Sequence, residues 1–282
     1  MILFVFEGVS REPAVFKTLE HLFFERKKDR IICSYGNNIY QLYSQMTENG
    51  TLTDPDYYLD IVSVLKEKYG DDEDNPVSQI MSVSDVSETY LFFDYDIHNQ
   101  NRDRTLTYEE LNGRLQKMIE FFDNETENGK LFVSYPMIES IRYTRKLPDA
   151  AFYSYTVSVD DLKFFKEISA EFSYYSNLDF LCFHCSRKSG RISIKSEEEE
   201  QYLRDNWILL VRQNVAKASY ICCGQNLIPQ SAEMLSQLDI FNGQIEKYLP
   251  CGCISILNSF PLFLFDYFPV SFFSGLEEKE AE

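Results

Sequence analysis

The sequence predicts an α/β protein: a mostly parallel sheet with helices on both faces, followed by an α-rich C-terminal domain. Three observations carry this. Strand-length apolar runs at Met1–Phe6, Arg30–Tyr35, Thr89–Asp94 and Lys130–Ser134 alternate with stretches of helical periodicity, the pattern of a sheet built from crossover units. The first run, MILFVF, is continuously apolar rather than alternating, as a strand buried on both faces must be. After Pro148 the strand signals stop and helical periodicity takes over, near Val159–Ile168, Glu197–Tyr220 and Ser231–Tyr248. The expected organisation is an α/β domain over 1–147, an α-rich domain over 148–276 and a disordered acidic tail over 277–282.

Taken in order, the first strand ends at Glu7-Gly8, and a helix follows over Glu12–Arg26. Pro13 suits its first turn, and Val15, Leu19, Leu22 and Phe23 form its apolar stripe. The strand Arg30–Tyr35 is stopped by Gly36-Asn37, a helix starts near Asn38, and another covers Tyr58–Tyr69. An acidic loop, Asp71–Pro76, precedes the strand Thr89–Asp94. The helix Thr107–Phe122 opens with Thr107 and has Glu110 three residues on, the reciprocal capping pattern. The fourth strand runs into Tyr135-Pro136, and Met137–Lys146 reads as one more helix. The apolar stretch Cys253–Phe268 is left to pack back on either domain.

With 44% hydrophobic and 15% aromatic residues the chain can build a sizeable core. Its longest apolar clusters fall well short of the roughly 20 residues of a membrane helix, and the N-terminus lacks a basic signal region, so a cytoplasmic protein without a membrane partner is expected. The seven cysteines, an odd count without framework spacing, are expected reduced and mostly buried. Cys182, His184, Cys185, Cys222, Cys223, Cys251 and Cys253 do not reproduce the C-x₂-C pairs of structural zinc. The net charge of −18 argues against broad, non-specific nucleic-acid binding. It leaves room for a local phosphate site, because basic stretches remain at Arg142–Lys146 and Arg187–Arg191.

The most informative segment is Tyr90–Ile97, YLFFDYDI, which delivers Asp94 and Asp96 at one strand end. In an extended chain the two carboxylates share a side while Tyr95 faces away. Open oxygen donors of this kind suit Mg²⁺ or Mn²⁺, which keep several waters and share coordination with phosphate. The plainer reading is an Asp that marks a turn or caps a helix. Ligands of open α/β sheets bind outside the carboxyl ends of the strands, where Glu7 and, just after the fourth strand, Glu139 also fall. Glu7 can join the Asp pair if the first and third strands are neighbours; a separation above about 10 Å would forbid a shared ion. Gly8 would permit a close backbone approach or a sharp turn. Each further candidate has a structural alternative: Glu12 as a first-turn helix acid, Glu139 as a partner of Arg142 or Arg145, and His98 as an incidental loop histidine.

Three segments in order, FEGVSREP from Phe6 to Pro13 with Phe16, FDYDIH from Phe93 to His98, and SYPMIE from Ser134 to Glu139, resemble the Toprim proteins of topoisomerases, bacterial primases and nucleases. Within that group they look most like the RloB-like and OLD-type abortive-infection proteins. The resemblance covers about residues 1–147. It implies Mg²⁺-dependent phosphodiester chemistry, with Asp94 and Asp96 holding the metal and Glu7 as general acid, general base or further ligand. Ser10-Arg11 sets Glu12 one residue beyond the commonest family spacing.

The expected function is therefore a metal-dependent nuclease acting on DNA or RNA, such as tRNA, in antiviral defence. Gly8, Glu12, His98 and Glu139 are additional site candidates, and homo-oligomerisation is an open expectation. The chain has no G-x-x-x-x-G-K-[ST] loop, so nucleotide-driven control would come from an ATPase partner. Two other readings compete. One is a catalytically silent Toprim-like interaction subunit whose acidic surface suits a basic protein. The other is a haloacid-dehalogenase-like phosphohydrolase, although there the hhhhDxD motif opens the first strand, and here two strands precede it.

Overall fold

A computed structural model describes residues 1–25, 29–48, 52, 60–70, 72–97, 106–173, 184–186 and 189–273. These form two compact units. The first takes Met1–Pro13 and Glu25–Val133; the second takes Ala14–Phe24 and the chain from Ser134.

The first unit is built on a five-stranded, mostly parallel sheet of order β2-β1-β3-β5-β4. Its strands are β1 (Ile2–Phe6), β2 (Arg30–Ser34), β3 (Glu88–Asp94), the two-residue β4 (Asp123–Asn124) and β5 (Gly129–Ser134). All four strands expected from the apolar runs are present, and β4 adds a short antiparallel edge on β5. β1 pairs in parallel with β2 on one side and β3 on the other, Phe6 lying opposite Ser34 and Phe92. Every residue of β1 is buried, which explains why its sequence is continuously apolar. Neighbouring strands interlock through aromatic side chains, Phe6 against Phe92 (5.1 Å between ring centroids) and Phe92 against Phe132 (5.7 Å).

The helices of this part of the chain are α1 (Arg11–Phe23), α2 (Ile39–Glu48), α3 (Ile61–Tyr69) and α4 (Tyr108–Phe121). Of α1, only the first turn belongs to the sheet unit. α3 is capped by Asp60, whose side chain accepts from Ser63 N. α4 carries the expected reciprocal cap: Thr107 Oγ1 accepts from Glu110 N, and Glu110 Oε2 accepts from Thr107 N.

The second unit is helical, with α5 (Phe165–Phe172), the long α6 (Glu197–Cys223), α7 (Gln237–Gly243) and α8 (Ser259–Tyr267), plus a two-stranded antiparallel sheet of β6 (Thr156–Ser158) and β7 (Cys253–Ser255). α6 begins at a Ser196 cap with four glutamates in its first turn, where the helix dipole favours them, and ends at Gly224 in the left-handed region. The apolar stretch Cys253–Phe268 becomes β7 and the buried α8, which packs on α6. Among the described residues no helix is long and apolar enough to cross a membrane.

Several expectations need correction. Met137–Lys146 is not a helix; only Ile138–Arg142 forms a 3-10 turn. Asp149 Oδ2 takes the Arg145 N–H that a helix would have bonded to a carbonyl, and accepts from the Thr144 hydroxyl as well, while Pro148 disfavours helical backbone at Leu147. Ser231–Tyr248 is broken into a 3-10 turn, α7 and a π-helical turn at Gln244–Tyr248, and Val159–Phe164 is 3-10 rather than α. Cys33 and Cys185 are buried, but Cys223 and Cys251 are exposed. Cys182, the acidic tail 277–282, and Arg187 and Lys188 of the second basic stretch lie outside the described residues.

Candidate functional site at the carboxyl edge of the central strands

The strand order decides the site. β1 has β2 on one side and β3 on the other, so the chain reverses its winding between β1 and β3, where open α/β sheets form their ligand crevice. Glu7 and Asp94 stand at that edge, at the ends of two adjacent parallel strands.

Glu7 is held at three atoms. Its N–H donates to Phe92 O (3.0 Å), its carbonyl accepts from Gly36 N (2.9 Å), and its Oε2 accepts from Asp94 N (3.0 Å). The last bond joins residues 87 positions apart and brings the Glu7 carboxylate to the backbone of Asp94. Both side chains are half-buried, so they keep access to solvent.

Asp96 differs from the expectation of a continuous strand. β3 ends at Asp94, and Ile97 N donates to Tyr95 O (2.7 Å), closing a three-residue turn with Asp96 at its apex. Tyr95 does point away from this edge: it is fully buried and its hydroxyl donates to Asn112 Oδ1 of α4 (2.7 Å). Burial pushes the Tyr95 phenol well above its ordinary range, so it stays a neutral donor. Asp96 is 9% exposed.

Glu12 is the first-turn helix acid that the sequence suggested. It sits in the first turn of α1, buried at 7% exposure, and its carboxyl group lies over Gly8. A Cβ on Gly8 would stand 2.9 Å from Glu12 Cδ, so glycine here makes room for the Glu12 side chain. Gly8, Glu7, Glu12, Asp94 and Asp96 thus share one unit. Glu139 belongs to the other unit, where it is buried in the 3-10 turn Ile138–Arg142. His98 lies outside the described residues.

The basic stretch Arg142–Lys146 is committed elsewhere. Arg142 donates to Lys166 O and Ser169 Oγ, and Arg145 donates to Phe172 O while its guanidinium lies 3.8 Å from the Phe172 ring centroid. Both arginines are bound to α5, and Arg145 serves its last carbonyl, as a cation near a helix C-terminus does.

Sequence reasoning missed the cation of this edge. Tyr35 and Gly36 continue from β2 alongside β1, Tyr35 N donating to Phe6 O (2.7 Å) and Gly36 N to Glu7 O (2.9 Å). Lys68 of α3 donates its ammonium to Tyr35 O, and Tyr69 Oη donates to the same carbonyl (2.7 Å). Gly36 has φ +74°, a conformation that favours glycine, and it lets the chain turn beneath Tyr69. The available signal was the Tyr-Gly pair ending a strand; nothing local linked it to a lysine 33 residues on.

Carboxylate oxygens are the hard donors that Mg²⁺ or Mn²⁺ prefer. Among the described residues no three Asp, Glu, His or Cys side chains are grouped closely enough to hold an ion by themselves. Mg²⁺ is commonly held by one or two carboxylates together with water and substrate phosphate, a mode that does not require three protein ligands. No family model, curated protein or solved structure matches the chain.

Proposed function

We propose that the protein is a divalent-metal-dependent nuclease of Toprim type that cleaves phosphodiester bonds in DNA or RNA, tRNA included, and acts as an antiviral, abortive-infection effector. One observation carries the reading: Glu7 and Asp94 end adjacent parallel strands at the switch point of the sheet, tied by the 3.0 Å bond from Asp94 N to Glu7 Oε2. The defence role rests on the sequence resemblance.

Asp94 and Asp96 are the residues that would hold Mg²⁺ or Mn²⁺. The ion, when bound, supplies neutralisation of the scissile phosphate and a more acidic water. Glu7 supplies the base. Its Oε2 is oriented by the Asp94 N–H, and the carboxylate would take a proton from water or give one to the leaving oxygen. Glu12, packed over Gly8, is a further carboxylate of this edge.

Purified protein, incubated with Mg²⁺ or Mn²⁺ and plasmid, single-stranded DNA or total RNA, tests this. Cleavage should require the metal and disappear in Glu7→Gln and Asp94→Ala. If neither metal supports cleavage, the reading yields to a silent interaction subunit, with pull-down of an ATPase partner as its own test.

A further inference from the structure

We propose that Lys68 is the phosphate-binding residue of this edge, taking an oxygen of the nucleic-acid backbone beside the carboxylates. An ammonium group has three N–H donors. Lys68 gives one to Tyr35 O and, with the Asn37 amide turned so that its nitrogen donates to Gln41 Oε1 (2.8 Å) and Gly36 O (2.9 Å), a second to Asn37 Oδ1 (2.7 Å). The third is left over.

Both acceptors are neutral. The remaining contacts of the ammonium are aromatic faces, 3.9 Å from the Tyr35 ring centroid and 5.3 Å from that of Tyr69. Among the described residues no carboxylate pairs with Lys68, although the chain carries 45 Asp and Glu against 27 Lys and Arg. A cation fixed without a counter-ion in such an acidic protein is placed to receive an anion. Burial also lowers the affinity of the amine for its proton, which a bound phosphate would restore.

Space and position agree. A cavity of about 330 Å³ is lined by Lys66, Glu67, Lys68, Tyr69, Gly70 and Asp72. The Tyr35-Gly36 backbone that holds Lys68 is hydrogen-bonded to Phe6-Glu7, and Asp94 follows on the far side of Glu7. A strand laid along this edge would meet the ammonium first and the carboxylates next. That the phosphate belongs to nucleic acid rests on the nuclease reading; the anion site itself does not.

The test measures binding without cleavage. A phosphorothioate-linked, single-stranded oligonucleotide is titrated in Mg²⁺ at several salt concentrations, and inorganic phosphate is titrated separately. Lys68→Gln keeps an N–H for Tyr35 O but removes the charge. It should weaken oligonucleotide binding roughly tenfold and reduce the slope of log affinity against log salt by about one, while Lys68→Arg should preserve both. Unchanged affinity and slope in Lys68→Gln, or wild-type protein that binds neither probe, overturns the proposal. If no metal supports cleavage yet Lys68→Gln loses inorganic phosphate, the anion site stands and the nuclease reading fails. Should Lys68→Gln not fold, acetylation of Lys68 in the wild type decides: protection by the oligonucleotide supports the site, and equal labelling with and without it overturns it.

Discussion

The two units handle polar groups in opposite ways. At the carboxyl edge of β1 and β3, Glu7 and Asp94 are only half-buried, and one Glu7 oxygen spends itself on a backbone N–H. In the helical unit, several polar side chains are sealed in and hydrogen-bonded, many of them to backbone groups. Asn258 N donates to Asn214 Oδ1, and Asn258 Nδ2 donates to Ile138 O and Ser140 Oγ. Gln244 both accepts from Ser255 N and donates to Ser255 O. Lys217, wholly buried, donates to Tyr155 O (2.6 Å) and lies 4.7 Å from the Phe152 ring centroid. A sealed, hydrogen-bonded network of this kind specifies one packing. Charge kept at a solvent-facing edge costs little desolvation and stays available for chemistry.

If that contrast is right, substitutions at the edge should cost activity and leave folding alone. The largest effect is expected for Glu7→Gln and Asp94→Ala: a fall in cleavage rate on the order of 10² to 10⁴, the usual worth of a positioned acid or base, with melting temperature within a few degrees of wild type. A large loss of stability instead would make the edge structural.

The mirror case is Asn258→Ala. It leaves Asn214 Oδ1 with its bond but strips donors from Ile138 O and Ser140 Oγ and the cap from Phe260 N. Urea unfolding should show a loss of about 2–4 kcal/mol, with cleavage per folded molecule unchanged. Gly8→Ala sits on the boundary of the comparison, because the new methyl meets a flexible Glu12 side chain. A cost of about 1–2 kcal/mol is expected, largely relieved in the double variant Gly8→Ala with Glu12→Ser, which a double-mutant cycle would read.

The smallest effect is a slope. Desolvation holds the Lys217 amine well below its ordinary value of 10.5, so between the lowered folded value and 10.5 the unfolded chain binds more protons than the folded one. Stability should therefore rise with pH through that window. Lys217→Met should flatten the rise, and an unchanged slope would show that another group is responsible.

Much of this architecture was legible in the order of residues because the signals are local. Continuous apolar runs marked β1 and β3, Thr107 with Glu110 marked the start of α4, and helical periodicity from Glu197 marked α6. Each depends on neighbours within a few positions, which is where caps, burial periodicity and turns act. The failures share a physical cause. The segment after Met137 has helical periodicity, but Asp149 and Pro148 compete for its backbone, and Asp96 leaves the strand because Ile97 turns back on Tyr95.

The sequence by itself determined the four main strands of the sheet, most of the helices and the carboxylates that end β1 and β3; the short β4, β6 and β7 it did not. Only the tertiary structure decided which of those groups meet. Pairing β1 with β3 brought Glu7 to Asp94, pairing β1 with β2 set Tyr35 and Gly36 alongside Phe6 and Glu7, and α3 delivered Lys68 to that turn. Glu139, one of the sequence-level site candidates, went to the other unit. The reason is range: a strand end is written in its own few residues, whereas the neighbour across the sheet is chosen by hydrogen bonds and packing between segments tens of residues apart.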